Sequence, residues 1–279
     1  MFTIKKWILA CVCAFLAATS IFTFKTTPAP AIFTQNNNIP CAALTEKISQ
    51  KTQTWDVSDV NVENIAPNRK LIAFTFDDAP AKTLESIVSV FAAFNESNPD
   101  CPACATIFCN GHRLTAHGIQ LLKAARLLGF EFGNHAYTHT DLTTLTDKQL
   151  QWEITRTDQL LCAVDGKATH LFRAPFGNVN ERLRSEVQAP IISWTIDTLD
   201  WTKKSELDIY DTVSSRPFNG AIVLMHDGYE GTVYALKRLL PDLKARGYQV
   251  VSVSQMAKMH RQNLERGKVY IRIRKNGNG

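Results

Sequence analysis

The chain has 279 residues, 45% of them hydrophobic and 20% charged, which is ordinary globular composition and excludes a disordered or low-complexity polypeptide. Its formal net charge of +5 is too mild to argue for a nucleic-acid partner.

The N-terminus carries a targeting signal. Lys5 and Lys6 precede an apolar run from Trp7 to Phe24, and Ala18-Thr19-Ser20 and Ala29-Pro30-Ala31 offer small-residue cleavage patterns. Residues 1–31 read as a secretory signal peptide or, since the run just reaches spanning length, a membrane anchor. Both place the remainder outside the cytoplasm. Residues 32–69 are rich in Thr, Pro and Asn and read as a linker and an N-terminal extension packed on the domain.

From Leu71 onward strand-like and helix-like patterns alternate. Strands are expected over 71–76, 105–109, 130–133, 169–172, 190–195, 220–225 and 248–253. Helices are expected over 83–95, 114–128, 146–163, 180–187, 206–214, 232–246 and 254–264. Alternation of this kind argues a parallel α/β sheet, and about seven units in one chain argue a (β/α) barrel, with its chemistry in the loops after the strands. Residues 70–260 would form that single catalytic domain. The segment 261–279 reads as a basic, solvated tail: from Lys258 to Lys275 it has seven Lys or Arg against Glu265 alone. Cys101 and Cys104 form a CxxC without the second pair that a structural zinc site needs, so a local disulfide or inert thiols are expected.

Polar residues worth naming fall at the strand ends. Asp77 and Asp78 follow the first strand. Buried carboxylates at a strand mouth call for a partner, because charge is rarely buried unless paired or bound to metal. His135 and His139 follow the third strand, four residues apart, a spacing that puts two imidazoles on one side of a helical turn or tight loop. With one carboxylate they make a three-ligand set that leaves positions open. Arg173-Ala174-Pro175-Phe176-Gly177 follows the fourth strand, Asp197-Thr198-Leu199-Asp200-Trp201 the fifth, and Leu224-Met225-His226 ends the sixth. Parallel strands would bring all five groups to one rim.

In that order, TFDD, HxxxH within GNHAYTHTDLT, RxPxG, DxxDW and LxH resemble the polysaccharide deacetylases with a NodB-homology domain, from about Arg69 to about Lys258. The resemblance implies a distorted seven-stranded (β/α) barrel, similar to a TIM barrel, that removes acetyl groups with a divalent metal, most often Zn2+. It assigns Asp78, His135 and His139 to the metal, Asp77 to the general base and Arg173 to holding that base. His226 becomes the general acid and Asp200 its partner, while Pro175, Phe176, Trp201 and Leu224 belong to the substrate side. Two positions depart from the family pattern: Ala79 stands where Gly is usual, and Ala136 where Ser or Thr is usual. The expected substrate is an N-acetylglucosamine-containing cell-wall glycan, peptidoglycan first, with acetylxylan or a chitooligosaccharide as alternatives. A non-haem iron oxygenase shares the two-His, one-carboxylate pattern but needs no acid–base pair. A wall-binding module without activity would have lost ligands. The expected oligomeric state is a monomer, with membrane contact only through the N-terminal segment.

Overall fold

The structure is a computed structural model, and it describes residues 54–275. The expected export segment 1–31 and the linker up to residue 53 lie outside the described residues, as do residues 276–279. Among the described residues no helix is long and apolar enough to cross a membrane.

The sheet is built around β1 (Lys70–Ala79), whose residues from Leu71 to Asp77 are all buried. A strand covered on both faces needs a continuous apolar run, which is how Leu71 to Phe76 reads. The other strands are β2 (Thr106–Cys109), β3 (Glu131–Asn134), β4 (Leu171–Phe172), β5 (Ile191–Ile192), β6 (Ile196–Asp197), β7 (Ala221–His226), β8 (Tyr248–Val251) and β9 (Val269–Tyr270). Their order is β6-β7-β1-β2-β3-β4-β5-β9, and all their pairings are parallel. β7 runs along one edge of β1 from Ile72 to Asp77; the other edge is shared by β8, beside 70–73, and β2, beside 75–79. Helices α1 (Leu84–Ser97), α2 (Ala116–Leu127), α3 (Asp147–Asp165), α4 (Glu181–Glu186), α5 (Glu206–Ser214), α6 (Glu230–Ala245) and α7 (Val253–Met259) connect them. The result is a curled, distorted (β/α) barrel in a single domain.

Two expectations are corrected. The run 190–195 is not one strand. Ile191 and Ser193 give their N–H groups to Lys268 and Tyr270, whereas Thr195 turns to Ile222 on the far side. Two short strands result, facing different neighbours. The segment wedged beside them is the expected solvated tail. Helix α7 stops at Met259 instead of 264, and the chain returns as β9. Tyr270 (5% exposed) and Ile273 (0%) are buried there, and the Ile273 N–H donates to the Gly220 carbonyl. The basic residues of this segment alternate with apolar ones that fill the gap in the barrel.

Residues 54–69 pack on the same end. The Trp55 N–H donates to Leu264, and Lys258 Nζ donates to the carbonyls of Ser58 and Val60. The CxxC carries no disulfide: Cys101 and Cys104, with Cys109, are free and buried. Burial pushes the Cys104 thiol up to about 12, so it is an inert, protonated side chain.

Candidate active site

The five motifs meet where the strands end. Non-glycine residues with positive φ cluster there: Asp78 (65°), Ala136 (62°), His139 (59°), Phe176 (59°) and Leu199 (54°). Such conformations cost about 1–3 kcal/mol each and persist only where the surroundings impose them. They bend the chain sharply at the loops that carry the motifs.

At the end of β1, Asp77 is 3% exposed and Asp78 is half-buried. Arg173, which follows β4, reaches across the barrel with a side chain only 1% exposed. Its Nη1 donates to Asp77 Oδ1 and to Thr75 Oγ1, both at 2.7 Å, and its Nε and Nη2 donate to the carbonyls of Ile192 and Ser193. Burial opposes the Asp77 charge, but the positive charge of the adjoining Arg173 is the leading influence that outweighs it and holds the carboxyl below its ordinary range. Asp77 is therefore a carboxylate with Oδ1 committed to Arg173 and Oδ2 3.6 Å from His135 Nε2.

His135 and His139 sit in a tight loop after β3, not on a helix. His135 Nδ1 lies 2.8 Å from the Arg173 carbonyl. A carbonyl only accepts, so Nδ1 carries the proton and the Nε2 lone pair points into the site. That Nε2 is 3.9 Å from Asp78 Oδ1, and His139 Nε2 is 3.4 Å from the same oxygen. One donor atom from each of Asp78, His135 and His139 lies within 4.8 Å of the others, a grouping unique among the described residues. Burial and the neighbouring His135 lower the His139 pKa, which favours the neutral imidazole that a metal needs. Unprotonated donors converging without hydrogen bonds between them fit a divalent cation.

Beside Asp77 on the neighbouring strand, His226 closes β7. Its Nδ1 is 2.7 Å from Asp200 Oδ1, so that nitrogen carries a proton and Nε2 faces the opening. Asp200, 1% exposed, also accepts from the His226 N–H and from Thr232 Oγ1. Burial disfavours the imidazolium, yet the hydrogen bond it donates to Asp200 and the charges of Asp77, Asp200 and Asp78 raise the His226 pKa above its ordinary value. Leu224 (3% exposed) and Pro175 are buried under the rim. Phe176 (63%) and Trp201 (52%) stand exposed above it, and the Phe176 ring is 4.7 Å from that of His139.

Known proteins are similar to this chain in sequence and fold. The family model for polysaccharide deacetylases matches residues 64–190. The peptidoglycan-N-acetylmuramic acid deacetylase PdaC of Bacillus subtilis is 30% identical over 214 residues, 76% of this chain and 44% of that protein. Its solved structure superposes with a TM-score of 0.64 at 30% identity, covering 71% of this chain and 95% of that one. The chain belongs to the polysaccharide deacetylase family. The peptidoglycan-N-acetylglucosamine deacetylase PgdA of Listeria monocytogenes is 30% identical over 216 residues, 77% of this chain and 44% of that protein. The chain thus spans less than half the length of each of these two curated relatives.

The departures from the family pattern are absorbed locally. The left-handed residue of the first loop is Asp78, not Ala79, so Ala79 meets no conformation that demands glycine; it leads into a cis bond to Pro80. At Ala136, the N–H donates to Asn134 Oδ1.

Further residues of this family member shape the site without belonging to the five motifs. Asp227, 2% exposed, accepts from the N–H groups of Ala81 and Thr83 and from Thr83 Oγ1, tying the loop after β1 to the end of β7. Glu153 on α3 accepts from the N–H groups of Tyr137 and Thr138 and from Thr138 Oγ1, bracing the loop between the two histidines. Asp227 had a sequence signal: a second polar residue directly after a strand-end His, as at Asp77-Asp78. Glu153 had none, because its helix face looks ordinary until the loop is laid against it.

Proposed function

We propose that the protein is a metal-dependent hydrolase that removes N-acetyl groups from an N-acetylglucosamine-containing polysaccharide, with peptidoglycan as its substrate. The observation that carries this reading is a base and an acid on adjacent strand ends beside the ligand trio: Asp77 held ionised by Arg173, and His226 held protonated on Nδ1 by Asp200. An oxygenase has no use for such a pair.

Asp78, His135 and His139 would hold a divalent metal, zinc first, which when bound supplies Lewis acidity to the acetyl carbonyl and the attacking water. Asp77 takes the proton of that water through Oδ2, since Oδ1 is occupied by Arg173. His226 Nε2 delivers a proton to the departing amine, without which an amide nitrogen leaves poorly. Asp200 steadies the imidazolium through Nδ1 and keeps the ring from rotating. Leu224 and Trp201 bound the acetyl side of the pocket, while Pro175 and Phe176 offer apolar surface to the sugar. The names of the similar proteins support peptidoglycan and an extracytoplasmic place of work, which suits a chain expected to open with a signal peptide or anchor and to act as a monomer.

The test is acetate release from peptidoglycan, chitooligosaccharides and acetylxylan by chelated protein with metal added back. Release from peptidoglycan that returns only with metal is expected. No release from any of the three polymers would defeat the reading.

A further inference from the structure

One cation at the rim has no task in the chemistry described so far. Arg113 lies on the loop that follows β2, and this loop is clamped to both ligand-bearing loops. The N–H groups of Asn110, Gly111 and His112 donate in turn to the carbonyls of Ala79, Ala136 and Tyr137, at 2.9, 2.9 and 3.0 Å. Asn110 Nδ2 also donates to the His135 carbonyl. The fit is close enough that a Cβ on Gly111 would lie 2.4 Å from the Tyr137 ring. The backbone of Arg113 is thereby fixed beside the metal-ligand loops and cannot drift away from them.

Arg113 is half-buried, and its guanidinium makes no hydrogen bond or ion pair with any described residue. Arg69 and Arg182, also half-buried, spend their N–H groups on backbone carbonyls or a carboxylate. Asp77 and Asp78 do not use Arg113 either: the first is paired with Arg173, and the second faces the two histidines. The Arg113 charge nevertheless reaches His139, Asp227 and Tyr229, which stand on two different rim loops.

An unpaired guanidinium on a half-buried residue beside the ligand-bearing loops is a recognition group for an anion, because its planar fork matches a carboxylate. An acetamido sugar is neutral. In a wall glycan, however, a carboxylate can lie one ring carbon away from the acetamido group, on a lactyl ether, or further out on an attached peptide. We propose that Arg113 is a specificity residue that binds a carboxylate carried by the glycan beside the acetyl group being removed. This rests on the deacetylase reading above and narrows its substrate class to anionic acetamido glycans.

The experiment compares the wild type with Arg113→Gln and Arg113→Lys, metal-loaded, on three substrates: neutral chitotetraose, peptide-stripped glycan strands with free lactyl carboxylates, and peptide-bearing strands. KM is measured on each, with a calorimetric Kd where turnover is slow. Arg113→Gln should raise KM for stripped strands roughly tenfold, the size expected of a charge-assisted hydrogen bond in a partly exposed site. It should leave kcat and the chitotetraose values unchanged. Arg113→Lys should recover part of the loss, and the wild-type preference for stripped strands should shrink as salt rises. A loss confined to peptide-bearing strands would assign the carboxylate to the peptide instead of the sugar. Equal losses on neutral and anionic substrates, or none on either, would overturn the inference. A wild type that releases acetate from none of them would instead overturn the reading beneath it.

Discussion

Two histidine–carboxylate clusters in this molecule use the same residue types for different ends. His135 and His170 are each 2% exposed. His135 follows β3; His170 precedes β4. Both nitrogens of His170 are committed, Nδ1 to Asp158 at 2.9 Å and Nε2 to Asp165 at 3.1 Å. His135 commits only Nδ1, to a carbonyl, and turns Nε2 toward Asp78 and His139. The difference lies in which lone pairs remain unspent, not in burial or composition. A satisfied cluster ties α3 to the sheet, whereas an unsatisfied one at the strand ends is available to a ligand.

The comparison breaks if the rim cluster proves as inert as the His170 cluster. The largest expected effect is at Asp77. Asp77→Asn should lower acetate release by roughly 10²- to 10⁴-fold, the usual worth of general-base catalysis, with metal binding retained. Steady-state kinetics beside metal analysis decides this, and near wild-type turnover would reduce Asp77 to a structural cap.

Next comes Arg173, the buried cation behind the base. Arg173→Met strips Asp77 of its partner. Removing one member of a buried pair typically costs about 3–5 kcal/mol, to be read from denaturant unfolding. The Asp77 pKa would also rise, since Arg173 is the leading charge that holds it down. The acid limb of the pH–rate profile should therefore move to higher pH. An unmoved limb would mean that Arg173 does not set the ionisation of the base.

The smallest effect sharpens the other side of the comparison. Asp158 and Asp165 raise the His170 pKa from 6.5 to about 9 against the opposing effect of burial. A raised folded-state pKa means that the contribution is fully present below pH 6.5 and is lost as the pH rises through 9. A shift of that size corresponds to about 3 kcal/mol at most. His170→Gln should lower Tm at pH 6, remove this alkaline decline and leave kcat/KM near the wild-type value. A matching collapse of kcat/KM would show that the two clusters are not separable.

Much of this was legible in the sequence because the rim residues follow apolar runs directly. Leu71 to Phe76 marks a doubly covered strand, so Asp77 and Asp78 had to lie at its mouth, and the motifs after 133, 172, 196 and 225 follow the same logic. What the sequence concealed depends on distant partners. The run 190–195 looks continuous, and only the return of residues 268–273 explains why Ser193 and Thr195 pair on different sides. In that return, alternating basic residues mask Tyr270 and Ile273. The commitment of His170 was also hidden, since Asp158 and Asp165 are near it only once α3 folds back.

The most direct test of the central claim is metal titration of chelator-stripped protein, wild type beside His135→Ala/His139→Ala. The account predicts roughly one divalent ion per wild-type chain, as a three-ligand site requires, and loss of that ion in the double variant. Full metal content in the folded double variant would contradict the assignment of Asp78, His135 and His139.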